Sequence, residues 1–119
     1  MAKGLRKIIG LALFILVVFM GIGFNIGVFI DIPSIAFVVV GGFGITLARF
    51  KEKSSKNEIL TDLRRNILLM GIIGAFTGLI LMFGNLSDFS TLGASVAVNL
   101  LPIFWALICY ALISIFITE

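Results

Sequence analysis

Few side chains in this sequence can carry chemistry, and their placement says more than their number. There is no histidine among the 119 residues, and the single cysteine, Cys109, sits in an apolar run. The commonest metal sites, a disulfide framework and cysteine–histidine catalysis each lack a component, so no enzyme chemistry, metal site or cofactor is expected. Cys109 reads as a small buried apolar residue. The six carboxylates are Asp31, Glu52, Glu58, Asp62, Asp88 and Glu119, and none falls inside an apolar run. An ionisable group within a membrane span is the default functional site of such a protein. Here that group is missing, so if the chain moves ions a titrating group has to come from elsewhere.

The uncharged polar residues within the apolar runs are Asn25, Thr46, Thr77, Asn99 and Ser114. In a pore-forming oligomer such groups line a water-filled path, and Thr77 and Asn99 are the candidates for that role; interhelical hydrogen bonding is the competing one. Pro102 removes a backbone donor, so it kinks its helix or exposes carbonyls that a neighbour or water must satisfy, which makes it a third ion-path candidate. Trp105, one helical turn further in, is too deep for an interfacial anchor and is expected in a packed interface. Small residues recur at packing intervals. Gly23 with Gly27 and Gly74 with Gly78 form two GxxxG pairs, Gly44 with Ala48 extends the pattern, and Gly41 and Gly42 are adjacent. Such positions let helices approach closely, within one subunit or between copies.

The elements that position these residues follow from composition. Hydrophobic residues make up 61% of the chain and charged ones 13%, and the mean hydropathy is +1.24, well outside the usage of a soluble domain. A spanning helix needs about 20 mostly apolar residues. Four stretches approach that length: Ile8 to Ile30, about Ile32 to Phe50, Ile67 to Leu86, and about Ala94 to Ile117. The expected fold is an all-α integral membrane protein, a single membrane domain over 1–119 with four transmembrane helices and a short loop at 51–66. Asp31 and Pro33 mark a tight turn into the second helix, where proline and a carboxylate both suit a helix start. Ser55 and Glu58 match a capping box, which predicts a short helix running into the third span.

Charge sets the orientation. Lys3, Arg6 and Lys7 precede the first span, and Arg49, Lys51, Lys53, Lys56, Arg64 and Arg65 lie between the second and third; these are all nine basic residues. By the positive-inside rule both termini and the central loop are cytoplasmic. The net charge of +3 is then topological, with no nucleic-acid partner implied. The loop charges suit a solvated connector, or contact with anionic lipid or a partner. The basic start resembles a signal peptide with a cleavage site at Gly21 to Gly23, but the apolar character continues to Ile30, as in an uncleaved signal anchor.

Two blocks resemble a known family. FIDIPSIAFVVVGGFGITLARF, Phe29 to Phe50, is similar to the first outer turn and second helix of flagellar stator proteins of the MotA type. GIIGAFTGLILMFGNLSDFSTLGASVAVNLL, Gly71 to Leu101, is similar to the third helix, outer loop and fourth-helix start of the MotA/TolQ/ExbB proton-channel family. The resemblance implies a bacterial inner-membrane subunit that forms a homopentameric ring around a dimer of a single-pass partner of the MotB/TolR/ExbD type. In that family the partner supplies the intramembrane aspartate, and ion flow drives motion of one component against the other. Two departures are visible. The large cytoplasmic domain of stator subunits is replaced by a short loop. The family's threonines after the GIIG-like opening and after the Leu-Leu pair are replaced by Ala75 and by Pro102 and Ile103, with Thr77 two residues along. A non-conducting scaffold or assembly subunit is the first alternative. A small four-helix transporter is the second, although the span from Ile8 to Ile30 lacks the glutamate on which the small multidrug resistance proteins depend.

Overall fold

Helices form along the apolar runs, but their ends are set by backbone and polar signals that hydropathy does not contain. The computed structural model describes residues 2–23, 26–85 and 89–117; the described residues form helices and connections, with no strand. The chain divides into two units, Met1–Asp31 and Ile32–Glu119.

In the first unit, α1 covers Lys3–Ile22 and α2 covers Ile26–Phe29. The expected single helix over 8–30 is therefore corrected at both ends. It begins earlier because Lys3, Arg6 and Lys7 join the first turns, where long basic side chains can extend toward water. It ends at Gly23, which adopts the left-handed conformation (φ 71°) and donates its amide to the carbonyls of Phe19 and Met20. Without a Cβ, glycine takes that conformation at little cost. Gly23 thus terminates a helix, and a Cβ built at Gly23 or Gly27 would meet nothing within 4 Å. Asn25 lies outside the described residues.

The second unit contains α3 (Ile32–Ala48), α4 (Lys56–Gly84), a 3-10 turn at Phe89–Thr91, α5 (Leu92–Asn99) and α6 (Leu101–Phe116). Pro33 occupies the first turn of α3, as expected. At the start of α4, Ser55 Oγ accepts a hydrogen bond from the Glu58 amide at 3.2 Å and donates to the Glu58 carboxylate at 3.2 Å. The cap thereby holds the predicted start, and the short helix and the third span are one continuous helix of 29 residues, about 44 Å long at 1.5 Å per residue. The fourth apolar stretch is broken. α5 ends at Asn99, and Pro102 stands in the first turn of α6, where its missing N–H is no loss. The kink expected at Pro102 thus takes the form of a helix restart at Leu100. Among the described residues three stretches are long and apolar enough to cross a membrane, Lys3–Ile22, Lys56–Gly84 and Phe89–Phe116, and α3 is a shorter apolar helix.

α4 is the central element of this unit, packed against α3 on one side and α5 and α6 on the other. The buried residues of α3 are Ser34, Val38, Gly42 and Thr46, one row at four-residue spacing. Val38 joins Leu63, Ile67 and Ala106 in a small buried core, with Met70, Trp105, Cys109 and Ile113 packed around it. Trp105 also meets Phe104 edge to face, with centroids 5.5 Å apart. Around this narrow core the surface is strongly apolar: Leu47, Phe76 and Ile80 are each more than half exposed.

Two glycines bring backbones together. A Cβ on Gly42 would strike the Ile67 side chain and lie 3.1 Å from its Cα and N, and one on Gly71 would strike Ala106 and lie 3.1 Å from the Pro102 carbonyl oxygen. By contrast a Cβ on Gly44 would meet nothing within 4 Å. Replacing Gly71 by leucine should lower unfolding stability in detergent by about 1 to 3 kcal/mol or more through overpacking. Gly44→Ala should be neutral or slightly stabilising as a gain in helix propensity. Equal effects of the two would mean that the close approach at Gly71 does not govern stability. Ser55→Ala should cost about 1 kcal/mol, read as earlier amide exchange in the first turn of α4.

Candidate functional site

The candidate positions fall into two regions of the second unit. The first is the seam between α4 and the broken fourth stretch. Gly71 faces Ala106 and Pro102, Gly74 faces Pro102 and the ring of Phe37, and Gly78 faces the side chain of Asn99. Each glycine leaves room for one group on the opposing helix, so the Gly74/Gly78 pair is occupied by packing inside the chain. Asn99 is half-buried on Gly78 and directs its amide toward the Met82 sulfur at 3.6 Å, a weak acceptor. Pro102 is buried, whereas Thr77 is exposed on α4. Among the described residues Thr77 and Asn99 share no hydrogen bond. Of the other paired glycines, Gly41 faces the flexible side chain of Met70 and Gly42 the backbone of Ile67. Asp88, expected at an outer edge, lies outside the described residues.

The second region is polar and lies where α3 ends and α4 begins. Asn66 is only 4% exposed, deep between two apolar helices, where an unpaired amide would be costly. It donates to Thr46 Oγ1 at 3.0 Å and to an Asp62 carboxylate oxygen at 3.2 Å, so both N–H bonds of its amide are used. Thr46 in turn donates to the Gly42 carbonyl at 2.8 Å. A series of hydrogen bonds centred on the Asn66 amide, which donates both ways, thus connects the Asp62 carboxylate with the close contact at Gly42. Asp62 also pairs with Arg49, at the end of α3, at 3.2 Å and with Arg65 at 3.3 Å. On the other side of α4, Arg64 donates to Ser114 Oγ at 2.7 Å and lies 4.9 Å from the centroid of the Tyr110 ring, close enough for a cation–π contact. Ser114 donates to the Tyr110 carbonyl at 2.7 Å. Consecutive turns of α4 therefore tie α3 through Asp62 and Asn66, and α6 through Arg64.

These ties settle what two of the polar residues do: Thr46 and Ser114 make interhelical hydrogen bonds. Asn66, Asp62 and Arg64 were missed as site residues, because the segment up to residue 66 reads as a solvated connector when hydropathy alone is followed. A usable signal was present. The Ser55 cap extends the helix back to Lys56, which puts Asp62 and Asn66 four residues apart on one face. Among the described residues no group of three or more histidine, cysteine or acidic side chains is arranged to hold a metal.

Comparison of the chain with family models, with curated proteins and with solved structures gave no match in any of the three. The class that the fold itself defines is therefore coarse: a chain whose described elements are all helical, with three stretches among the described residues suited to crossing a membrane.

The buried pair makes a quantitative test. In a double-mutant cycle of Thr46→Val and Asn66→Leu, the coupling should be about 0.5 to 1.5 kcal/mol, the range for a buried polar pair between apolar helices. Additive single effects would show that the Thr46–Asn66 bond contributes no net stability.

Proposed function

We propose that this chain is a four-span membrane protein of a bacterial inner membrane, with both termini and the 49–55 connection on the cytoplasmic side. Within it, the chain acts as a minimal MotA-like ring subunit of an ion-driven motor or energy-transducing complex. Three long apolar stretches among the described residues, and the clustering of all nine basic residues at the start of α1 and from Arg49 through the first turns of α4, support the topology. α3 counts as the fourth span: its 17 residues cover about 25 Å, and the Arg49 side chain at its end can reach the interface.

The observation that carries the functional reading is the seam between α4 and the restarted fourth span. It joins small residues to a half-buried Asn99 and contains no acid between Ile67 and Gly84 or between Leu92 and Phe116. A ring built from such seams offers polar lining without a titrating group. An intramembrane aspartate on a single-pass partner of the MotB/TolR/ExbD type, held as a dimer inside a pentameric ring, supplies it. Proton or sodium passage is then the partner's protonation chemistry at a wall to which Thr77 and Asn99 contribute. The exposed apolar side chains on α3 and α4 face lipid and neighbouring copies.

One observation favours a second reading, a non-conducting scaffold of the same architecture. The two places where the resembled family carries threonine hold Ala75 and Pro102 with Ile103 here; Ala75 and Pro102 are buried within the chain and Ile103 is partly buried.

Native mass spectrometry of the protein purified gently from its own membranes tests the assembly. A pentameric ring holding two copies of a single-pass protein with a transmembrane aspartate is the expected result; a bare oligomer, or a dimer without such a partner, refutes it. On the assembled complex, Asn99→Leu or Thr77→Leu should abolish ion flux with the mass unchanged. Unchanged flux in both variants would remove Thr77 and Asn99 from the ion path, and no flux in the unaltered complex would leave the scaffold reading standing.

A further inference from the structure

A cleft of about 580 Å³ opens at the end of the second unit where α3 stops and α4 starts, within the size range of small-ligand sites. Its lining includes Thr46, a buried member of the hydrogen-bond series. Its charged lining consists of Arg49, Lys51 and Arg65 against Glu58 and Asp62, three cations to two carboxylates. Both carboxylates are already engaged. Glu58 accepts from Ser55 Oγ, and Asp62 takes one nitrogen from each of the two guanidinium groups. Each arginine keeps further N–H donors, and Lys51 enters no ion pair among the described residues. The cleft therefore presents excess positive charge in a concave setting, with its own acids committed elsewhere.

Its remaining lining is polar at Thr46, Ser54, Asn57 and Thr61 and apolar elsewhere. Phe50, Ile59 and Ile117 line the cleft, and Phe50 is half exposed. Phe50 lies two residues beyond α3 and Ile117 one residue beyond α6, where two apolar helices end. A free anion would make no use of that surface, whereas a phospholipid, with a phosphate next to glycerol esters and acyl chains, would use both parts.

We propose that this cleft binds the headgroup phosphate of an anionic phospholipid of the same leaflet, with Lys51, Arg65 and Arg49 on the phosphate and Phe50 and Ile117 against the glycerol and upper acyl chain. The inference rests on the membrane reading above and is independent of the ion-motor reading. Asp62 serves as a positioning residue that holds Arg49 and Arg65 at the rim.

The test uses the full chain purified in detergent, with retained lipid measured by native mass spectrometry and thermal shift measured on titration with phosphatidylglycerol, phosphatidylcholine or inorganic phosphate. Phosphatidylglycerol should bind and raise the unfolding temperature, and phosphatidylcholine and inorganic phosphate should not. Lys51→Gln/Arg65→Gln should weaken phosphatidylglycerol binding by about tenfold or more, given a contribution near 1 kcal/mol per basic residue at an anionic surface. Lys3→Gln/Lys7→Gln removes the same charge and should leave binding unchanged. Equal loss in both double variants would reduce the effect to net charge and overturn the site. Displacement of the lipid by inorganic phosphate at comparable concentration would assign the cleft to a free anion instead and overturn the lipid proposal. Alkaline carbonate extraction separates the two failures. A chain that stays in the membrane pellet but shows no lipid preference sinks this inference alone, and a chain released to the supernatant sinks the membrane reading with it.

Discussion

Everything in the second unit depends on how closely two helices can approach α4. Gly42 on α3 lies against the backbone of Ile67, and Gly71 on α4 lies against the backbone of Pro102 and Ile103. Between helices surrounded by apolar material there is little hydrophobic gain from association, so close van der Waals contact and interhelical hydrogen bonds have to supply it. The small core follows from this constraint. Among the described residues Val38, Leu63, Ile67 and Ala106 form the buried apolar cluster, and most of the other buried positions along the seams are small or polar, such as Gly42, Thr46, Gly71, Gly74 and Ala75. At Gly71 the restart of the fourth stretch is part of the fit: the Pro102 carbonyl region rests where a side chain would otherwise stand.

The polar ties act at one end of this arrangement. Asn66 donates to Thr46 beside the close contact of Gly42 with Ile67, and every described buried side-chain nitrogen and oxygen has a partner. In a dry interface that condition matters more than the strength of any one bond, since an unpaired amide there would cost more than a made bond gains. Asp62 extends the same series outward to Arg49 and Arg65, which are mostly exposed and individually weak as ion pairs. Their role is geometric. They fix the register of the α3 end against α4 and shape the cleft beside it, while Arg64 does the same for α6 through Tyr110 and Ser114. α4 is thus tied to both neighbours within a single turn, at the end opposite Gly78 and Asn99.

Part of this was legible from the residues alone, and particular positions show why. The apolar runs, the Ser55 cap and the glycine at the Ile67 contact follow from local rules of hydropathy, capping and side-chain size, which act over a few neighbouring residues. The end of α1 at Gly23 was obscured because its flanks stay apolar, and hydropathy does not record a left-handed backbone. The restart before Pro102 was half legible: proline forbids a donor, but whether the helix bends or starts afresh depends on what the preceding carbonyls meet. The pairing of Asn66 with Thr46 was not legible, because the two residues are twenty positions apart and their meeting depends on the rotation of α3 about its axis.

The sequence by itself determined that the chain is helical, which stretches are apolar, and that no acid stands between Ile67 and Gly84 or between Leu92 and Phe116, because these are properties of composition along one dimension. It also marked the glycines as points of approach. Which surface each glycine meets was decided only by the tertiary structure: Gly78 receives Asn99, Gly74 receives Pro102 and Phe37, and Gly44 receives nothing within 4 Å. Identical residues at similar spacing carry the same local chemistry, and only the rotation and crossing of whole helices assigns each of them a partner.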